Sequence, residues 1–159
     1  MDKIIYNTEV LTKLVAELKN KSRKIVFTNG CFDIIHAGHV AYLNKAKQLG
    51  DILIVGLNSD SSVKKLKGNN RPIVTEDDRA YIISNLKSVD FVVIFSDDTP
   101  YNLIGKIKPD YLVKGSDYKE QEVAGSDIVK SCGGQVVLVD YVNGKSTTNI
   151  IKKIKNVSL

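Results

Sequence analysis

The segment Lys24-Ile25-Val26-Phe27-Thr28-Asn29-Gly30-Cys31-Phe32-Asp33-Ile34-Ile35-His36-Ala37-Gly38-His39 decides the fold. Lys24 to Thr28 is a nearly continuous apolar run, the pattern of a strand covered on both faces. It runs into a loop holding Gly30 and Gly38, and a helical pattern follows from Val40 to Leu49. Strand, glycine-bearing loop and helix in that order open a β-α-β unit. The alternation continues to the C-terminus. Strands are predicted at Ile52 to Leu57, Phe91 to Phe95, Tyr111 to Val113 and Gln135 to Val139. Helices are predicted near Ser61 to Leu66, Asp77 to Leu86, Thr99 to Ile107, Asp127 to Ser131 and Thr148 to Ile154. The expected architecture is α/β: one Rossmann-like, doubly wound domain with a mainly parallel five-stranded sheet.

Upstream of this unit, Thr8 is a candidate helix cap, and Leu11, Leu14 and Leu18 recur at helical spacing. Residues 1–22 therefore read as an amphipathic connector helix laid on a domain of residues 23–159. At 159 residues the chain can bury a core without staples. Cys31 and Cys132 are too few for a disulfide framework and lie in no CxxC pattern, so a reducing cytoplasm is expected. The N-terminus lacks the basic region and apolar run of a signal peptide, and no apolar stretch reaches membrane-spanning length. The formal charge of +5 is spread along the chain with no RNP-type aromatic motif, so no nucleic-acid partner is expected. A small polyanion, drawn by the field of lysine and arginine, accounts for the same charge.

The loop after the first strand is where such a polyanion would sit. Unpaired N–H groups at a helix N-terminus favour anions, and glycine lets a phosphate approach the main chain. Gly30 and Gly38 are placed for this. The only two histidines of the chain, His36 and His39, stand three apart, so a turn beginning near Ala37 sends both imidazoles to one side. A lone histidine would more simply cap a helix or fill a polar gap; two in one strand-to-helix loop favour a shared ligand. The HExxH spacing of zinc proteases is absent, as are GxxxxGK[ST] and a complete GxGxxG. Cys31 lies in the loop but is read as packing, not as a nucleophile.

Asn29 to Asp33 followed by His36-Ala37-Gly38-His39, and later Ser146-Thr147-Thr148-Asn149-Ile150-Ile151, resemble the cytidylyltransferase-like branch of the HxGH nucleotidyltransferases. Within that branch the segments Lys67 to Pro72, Val113 to Tyr118 and Gly133-Gly134 are similar to the adenylyltransferase domains of heptose-phosphate kinase/adenylyltransferases. The resemblance implies a transfer of AMP from ATP to a heptose 1-phosphate, with Mg²⁺ accompanying the triphosphate and no metal held by the protein alone. His36, His39, Lys67 and Arg79 are the implied catalytic residues. Nucleotide contacts are implied for Asn29, Gly30, Cys31, Phe32, Asp33, Gly38, Lys114, Gly115, Asp117, Ser146, Thr147 and Thr148. Asp33 would orient the loop, and the Ser-Thr-Thr segment would meet the outer phosphates at a helix N-terminus. A homodimer is implied too, together with a heptose-phosphate kinase acting upstream as a separate polypeptide.

Bland readings stand beside these roles. Ser146 to Thr148 could simply cap a helix, Lys67 could be a solvated charge beside Lys64 and Lys65, and Asp117 could be an ordinary turn residue. Arg79, after Glu76-Asp77-Asp78, could form a surface ion pair of little worth. Tyr141 and Lys87 occupy places where glycerol-phosphate cytidylyltransferases carry arginine, which moves weight towards the heptose enzymes. Cytidylyl or guanylyl transfer to another acceptor, glycerol 3-phosphate among them, remains open, as does a non-catalytic nucleotide sensor.

Overall fold

The computed structural model describes residues 2–140 and 144–157; Tyr141 therefore lies outside the described residues. Fourteen elements follow in order, of which one is a 3-10 turn at Glu120–Glu122. The strands are β1 (Ile4–Ile5), β2 (Ile25–Gly30), β3 (Ile52–Asn58), β4 (Phe91–Phe95), β5 (Tyr111–Gly115) and β6 (Gln135–Val139). The α-helices are α1 (Thr8–Asn20), α2 (Ala37–Lys47), α3 (Asp60–Lys67), α4 (Glu76–Ser84), α5 (Tyr101–Ile107), α6 (Ser126–Ser131) and α7 (Thr147–Lys155). The sheet order is β1-β4-β3-β2-β5-β6, and every neighbouring pair is parallel.

The Rossmann-like α/β expectation holds, with one correction: among the described residues the sheet has six strands, not five. Ile4 and Ile5 pair with Val92 and Val93, adding an edge strand. Two residues are too few to show a strand period, and this strand is fixed by tertiary contacts: Lys3 donates through Nζ to the carbonyls of Ser84 and Val89. A second correction concerns the cap of α1. Asn7, not Thr8, holds that place, its Oδ1 accepting from the Glu9 N–H at 2.6 Å.

Strand alternation sends side chains to two cores, one on each face of the sheet. Ile25, Phe27, Ile54, Val93 and Leu112 meet Leu11, Leu14 and Val15 of α1 together with Ile104 and Ile107 of α5. Val26, Leu53, Val55, Val92 and Val113 meet Leu43 and Ala46 of α2 and Ala80 and Ile83 of α4 on the other face. Among the described residues no helix is long and apolar enough to cross a membrane.

The strand order sets the place of the site. From β2 the chain builds outward through β3 and β4, then returns to place β5 and β6 on the opposite side. Strands β2 and β5 pair only through Val26 with Tyr111 and Phe27 with Leu112. Beyond that rung, Thr28 Oγ1 and the Tyr42 hydroxyl both approach the Val113 carbonyl, at 3.0 and 3.1 Å, and lie 2.8 Å apart. The carboxyl ends of β2 and β5 thus flank a crevice at the point where the winding reverses, the usual ligand position in such sheets.

Candidate active site

A cleft of about 820 Å³ opens over that crevice. It is large enough for a nucleotide with a second small ligand. Asn29, Gly30, Cys31, Phe32, Asp33, His36, Gly38 and His39 line it from the first loop, Lys67 from the end of α3, Lys114 and Gly115 from β5, and Ser146, Thr147 and Thr148 from the start of α7. Of the residues singled out in the sequence, Arg79 and Asp117 do not line it.

Two helix N-termini converge on one corner. His36 occupies the N-cap of α2 in extended conformation and makes no side-chain cap bond. Ser146 caps α7, its Oγ accepting from the Asn149 N–H at 3.1 Å, while Thr147 Oγ1 donates to the Ile34 carbonyl at 3.3 Å. The first loop and the last helix, 113 residues apart, are joined by that bond. Gly38 sits where they meet: an added Cβ would lie 3.0 Å from the His36 ring and 3.1 Å from Lys145 Cβ. The space left by this glycine is taken by the His36 ring and the Lys145 side chain.

His36 and His39 stack with ring centroids 3.8 Å apart, and Phe32 stands edge-on to His39 at 5.3 Å. Phe32 itself takes a left-handed φ of 44°, a strained conformation for a bulky residue. Gly30 gives its ring room, since a Cβ there would fall 3.0 Å from it. Burial pushes the His39 pKa down to about 4, helped by the neighbouring His36 ring, and burial followed by the Lys145 charge lowers that of His36. Both imidazoles are therefore neutral near pH 7, each with one N–H to donate. Three buried polar atoms of this loop, Asn29 Oδ1, His36 Nδ1 and His39 Nδ1, find no hydrogen-bond partner among the described residues. Unpaired buried polar atoms are costly, and three along one cleft wall mark a place prepared for a polar ligand.

Asp33, 2% exposed, is fully engaged by the α3–α4 connection. Its Oδ1 accepts from Ile73 and Val74 N–H at 2.8 and 2.9 Å, and its Oδ2 from Arg71 Nε at 2.5 Å. Burial alone would raise its pKa, but the Val74 and Ile73 N–H groups and the Arg71 guanidinium outweigh it and hold it below the usual carboxylate range. The carboxylate thereby ties the first loop to the segment bearing Arg71.

Arg79 requires a correction. It is neither a phosphate ligand at the cleft nor a surface ion pair, because it is 0% exposed. Its Nη1 donates to the carbonyls of Cys31 and Asn58 at 2.5 and 2.9 Å, its Nε to the Val74 carbonyl at 2.9 Å, and its Nη2 to Asp60 Oδ1 at 2.7 Å. It is a positioning residue that fastens the first loop to the end of β3 and the start of α3. Asp117 acts on the site only through its charge, which favours the ammonium of Lys114. Lys114 is 9% exposed with Nζ 5.3 Å from the Tyr118 ring centre. Burial lowers its pKa to about 8 against the opposing effects of Asp117 and Cys31.

Arg71, Lys145 and Tyr118 also line the cleft and were not singled out from the sequence. The sequence does carry a signal for them: Arg71 lies in the segment Lys67 to Pro72, Tyr118 closes the segment Val113 to Tyr118, and Lys145 immediately precedes the Ser-Thr-Thr run. Among the described residues no group of three His, Cys, Asp or Glu side chains could hold a metal ion.

The sequence model of the cytidylyltransferase-like family matches residues 27–153. The chain is 66% identical over 134 residues to the bifunctional protein HldE of Campylobacter concisus, covering 84% of this chain and 28% of that protein. It is 55% identical over 155 residues to the bifunctional protein HldE of Nitratiruptor sp., covering 98% of this chain and 33% of that one. The chain thus spans about a third of the length of the curated relatives it matches. Among solved structures, the lipopolysaccharide core biosynthesis protein of Thermoplasma volcanium superposes with a TM-score of 0.62 at 30% identity, over 77% of this chain and 99% of that one. A pantoate-beta-alanine ligase of Francisella tularensis reaches a TM-score of 0.60 at 15% identity, over 98% of this chain and 77% of that chain, and shares the fold alone. With the match running from β2 into α7 and so enclosing the histidine loop, both flanks of the crevice and the Ser-Thr-Thr cap, this chain belongs to the cytidylyltransferase-like family.

Proposed function

We propose that this chain transfers the adenylyl group of ATP to a heptose 1-phosphate, giving ADP-heptose and pyrophosphate. The observation that carries this reading is the stacked, neutral His36–His39 pair with unpaired Nδ1 atoms, set where the N-termini of α2 and α7 meet. Two helix N-termini and two imidazole donors suit the oxygens of a triphosphate. Identity of 53–66% to bifunctional HldE proteins supports the adenylyl donor and the heptose acceptor. A separate heptose-phosphate kinase acting upstream belongs to this reading. A homodimer is part of the same reading.

In the reaction an oxygen of the acceptor phosphate attacks the α-phosphorus in line, the new O–P bond forms, and the bond to the β-phosphate oxygen breaks with its electron pair leaving on pyrophosphate. The nucleophile is already anionic, so no general base is needed. His36 and His39 donate to oxygens whose charge grows as pyrophosphate departs, and Ser146 to Thr148 with Lys145 hold the outer phosphates. Both oxygens of Asp33 are engaged by protein donors. Mg²⁺ would therefore be held chiefly by the triphosphate itself, where it would supply charge neutralisation.

The test is pyrophosphate release from purified protein across a grid of nucleotides and acceptors. Turnover is expected with ATP and heptose 1-phosphate. Turnover with CTP and glycerol 3-phosphate, without the former, would overturn the assignment. Alanine at His36 or His39 should cut turnover by roughly a hundredfold or more, the scale for removing one preorganised donor. Binding without turnover on any pair would mark a nucleotide sensor.

A further inference from the structure

The cations of the cleft fall into two groups. Lys145 lies by the histidines, where its charge disfavours protonation of His36. Lys67 ends α3, Arg71 is paired with Asp33, and Lys114 lies at the carboxyl end of β5, on the bank of the crevice facing the strand that leads into the histidine loop. In-line displacement on the α-phosphorus needs the attacking oxygen and the departing pyrophosphate on opposite sides of that atom. With pyrophosphate held by the histidine corner, the acceptor phosphate has to enter from the β5 bank.

The three cations outside the histidine corner are not equally available. The charge of Arg71 is already offset by its ion pair with Asp33. Lys67 is exposed at the end of α3, where water screens it. Lys114 is buried, lines the cleft, and has no hydrogen-bond or ion-pair partner among the described residues, only the face of the Tyr118 ring at 5.3 Å. A desolvated ammonium without an anionic partner is an expensive arrangement, and a ligand carrying a phosphate dianion would relieve it.

We propose that Lys114 is the acceptor-phosphate residue: its ammonium, backed by the Tyr118 ring, receives the phosphate of the sugar phosphate and aims its oxygen at the α-phosphorus, and it does not read the nucleotide. This rests on the nucleotidyl-transfer reading above for its choice of acceptor, but the subsite itself can be tested without turnover. Saturate the protein with a non-hydrolysable ATP analogue, then titrate inorganic phosphate and heptose 1-phosphate by calorimetry, for the wild type, Lys114→Met and Lys114→Arg. Measure the affinity for the ATP analogue separately for each.

The wild type is expected to bind phosphate beside the analogue, Lys114→Met to bind it at least tenfold more weakly, and Lys114→Arg to retain most of the affinity. The affinity for the analogue should change by less than threefold in both variants. Weakened binding of the analogue with phosphate binding intact would assign Lys114 to the nucleotide and overturn the proposal. Failure of the wild-type complex to bind phosphate, or equal binding in Lys114→Met, would overturn it as well. Wild-type binding of inorganic phosphate without turnover of heptose 1-phosphate would instead sink the acceptor named above and leave the subsite standing. Thermal unfolding of each variant confirms that a folded protein is being titrated.

Discussion

Replacing Arg79 with methionine keeps the length and much of the apolar stem of the side chain while removing every donor. In the structure the guanidinium satisfies three carbonyls, of Cys31, Asn58 and Val74, and one carboxylate, of Asp60. The Asp60 side chain is 34% exposed and can be rehydrated. The three carbonyls lose donors inside the fold, and a stranded buried acceptor costs about 1–3 kcal/mol. Taking the lower end for each and a small residue for Asp60 gives roughly 3–5 kcal/mol, the range for breaking a buried charge pair from one side. For a domain of this size that lowers Tm by about 10–15 °C. Urea unfolding of Arg79→Met and Arg79→Lys measures it, and lysine should recover only part because it cannot span the same fork of acceptors. ATP affinity should fall as a consequence, since the Cys31 carbonyl is no longer held. A variant within 1 kcal/mol of wild-type stability but dead in turnover would refute this reasoning and restore Arg79 as a direct phosphate ligand.

Three further outcomes are expected. His39 has a folded pKa of about 4 against an ordinary 6.5, so on acidification the unfolded chain takes up a proton that the folded one refuses. Stability is therefore lost as pH falls from about 6.5 to 4, by at most about 3 kcal/mol and less after screening of this half-buried ring. Equilibrium unfolding against pH should show that slope in the wild type and a shallower one in His39→Asn. Lys114 shows the same sign at higher pH: its fall from 10.5 to about 8 penalises the charged form, so Lys114→Met should raise the stability of the ligand-free protein at pH 7 by up to about 3 kcal/mol. The gain should shrink as pH rises from 8 towards 10.5, and a destabilised Lys114→Met at pH 7 would contradict the burial argument. Ser146→Ala removes the cap of α7 and should cost on the order of 1 kcal/mol, whereas Thr147→Ala removes the tie to Ile34 and should weaken nucleotide binding more than it weakens the fold; calorimetry and thermal unfolding of the pair separate the two.

Much of this molecule is legible in its sequence because parallel strands buried on both faces leave continuous apolar runs, as β2 to β5 do, and the edge strand β6 keeps the run Val136 to Val139. The histidine loop is legible for a different reason: its glycines, its histidines and its position after the first of those strands are all local. What escapes is what depends on distant partners. Strand β1 exists through pairing with Val92 and Val93, nearly ninety residues away, and two residues carry no period of their own. Arg79 follows three acidic residues and looks solvated, yet the α3–α4 connection and the first loop close over it. Lys114 sits in an apolar strand where its cost is visible, but not the direction in which its ammonium points. Arg71 becomes part of the site through Asp33, a contact across 38 residues that neither segment announces alone.

The meeting of Thr28, Tyr42 and the Val113 carbonyl bears on how the crevice keeps its width. Two hydroxyl protons serve three contacts there, and the carbonyl that would continue the ladder between β2 and β5 is taken up by side chains one rung after the last backbone pair. The hydroxyls act as a zipper stop. Below them the two strands are stitched together and share the core; above them the strands are held from closing, however favourable further pairing would be. Because Tyr42 belongs to α2, the helix that His36 caps, the same stop fixes how far the histidine loop stands from Lys114 and Gly115 on the far bank. The width of the crevice is thus set by a contact at its floor, where Tyr42 itself lines the cleft.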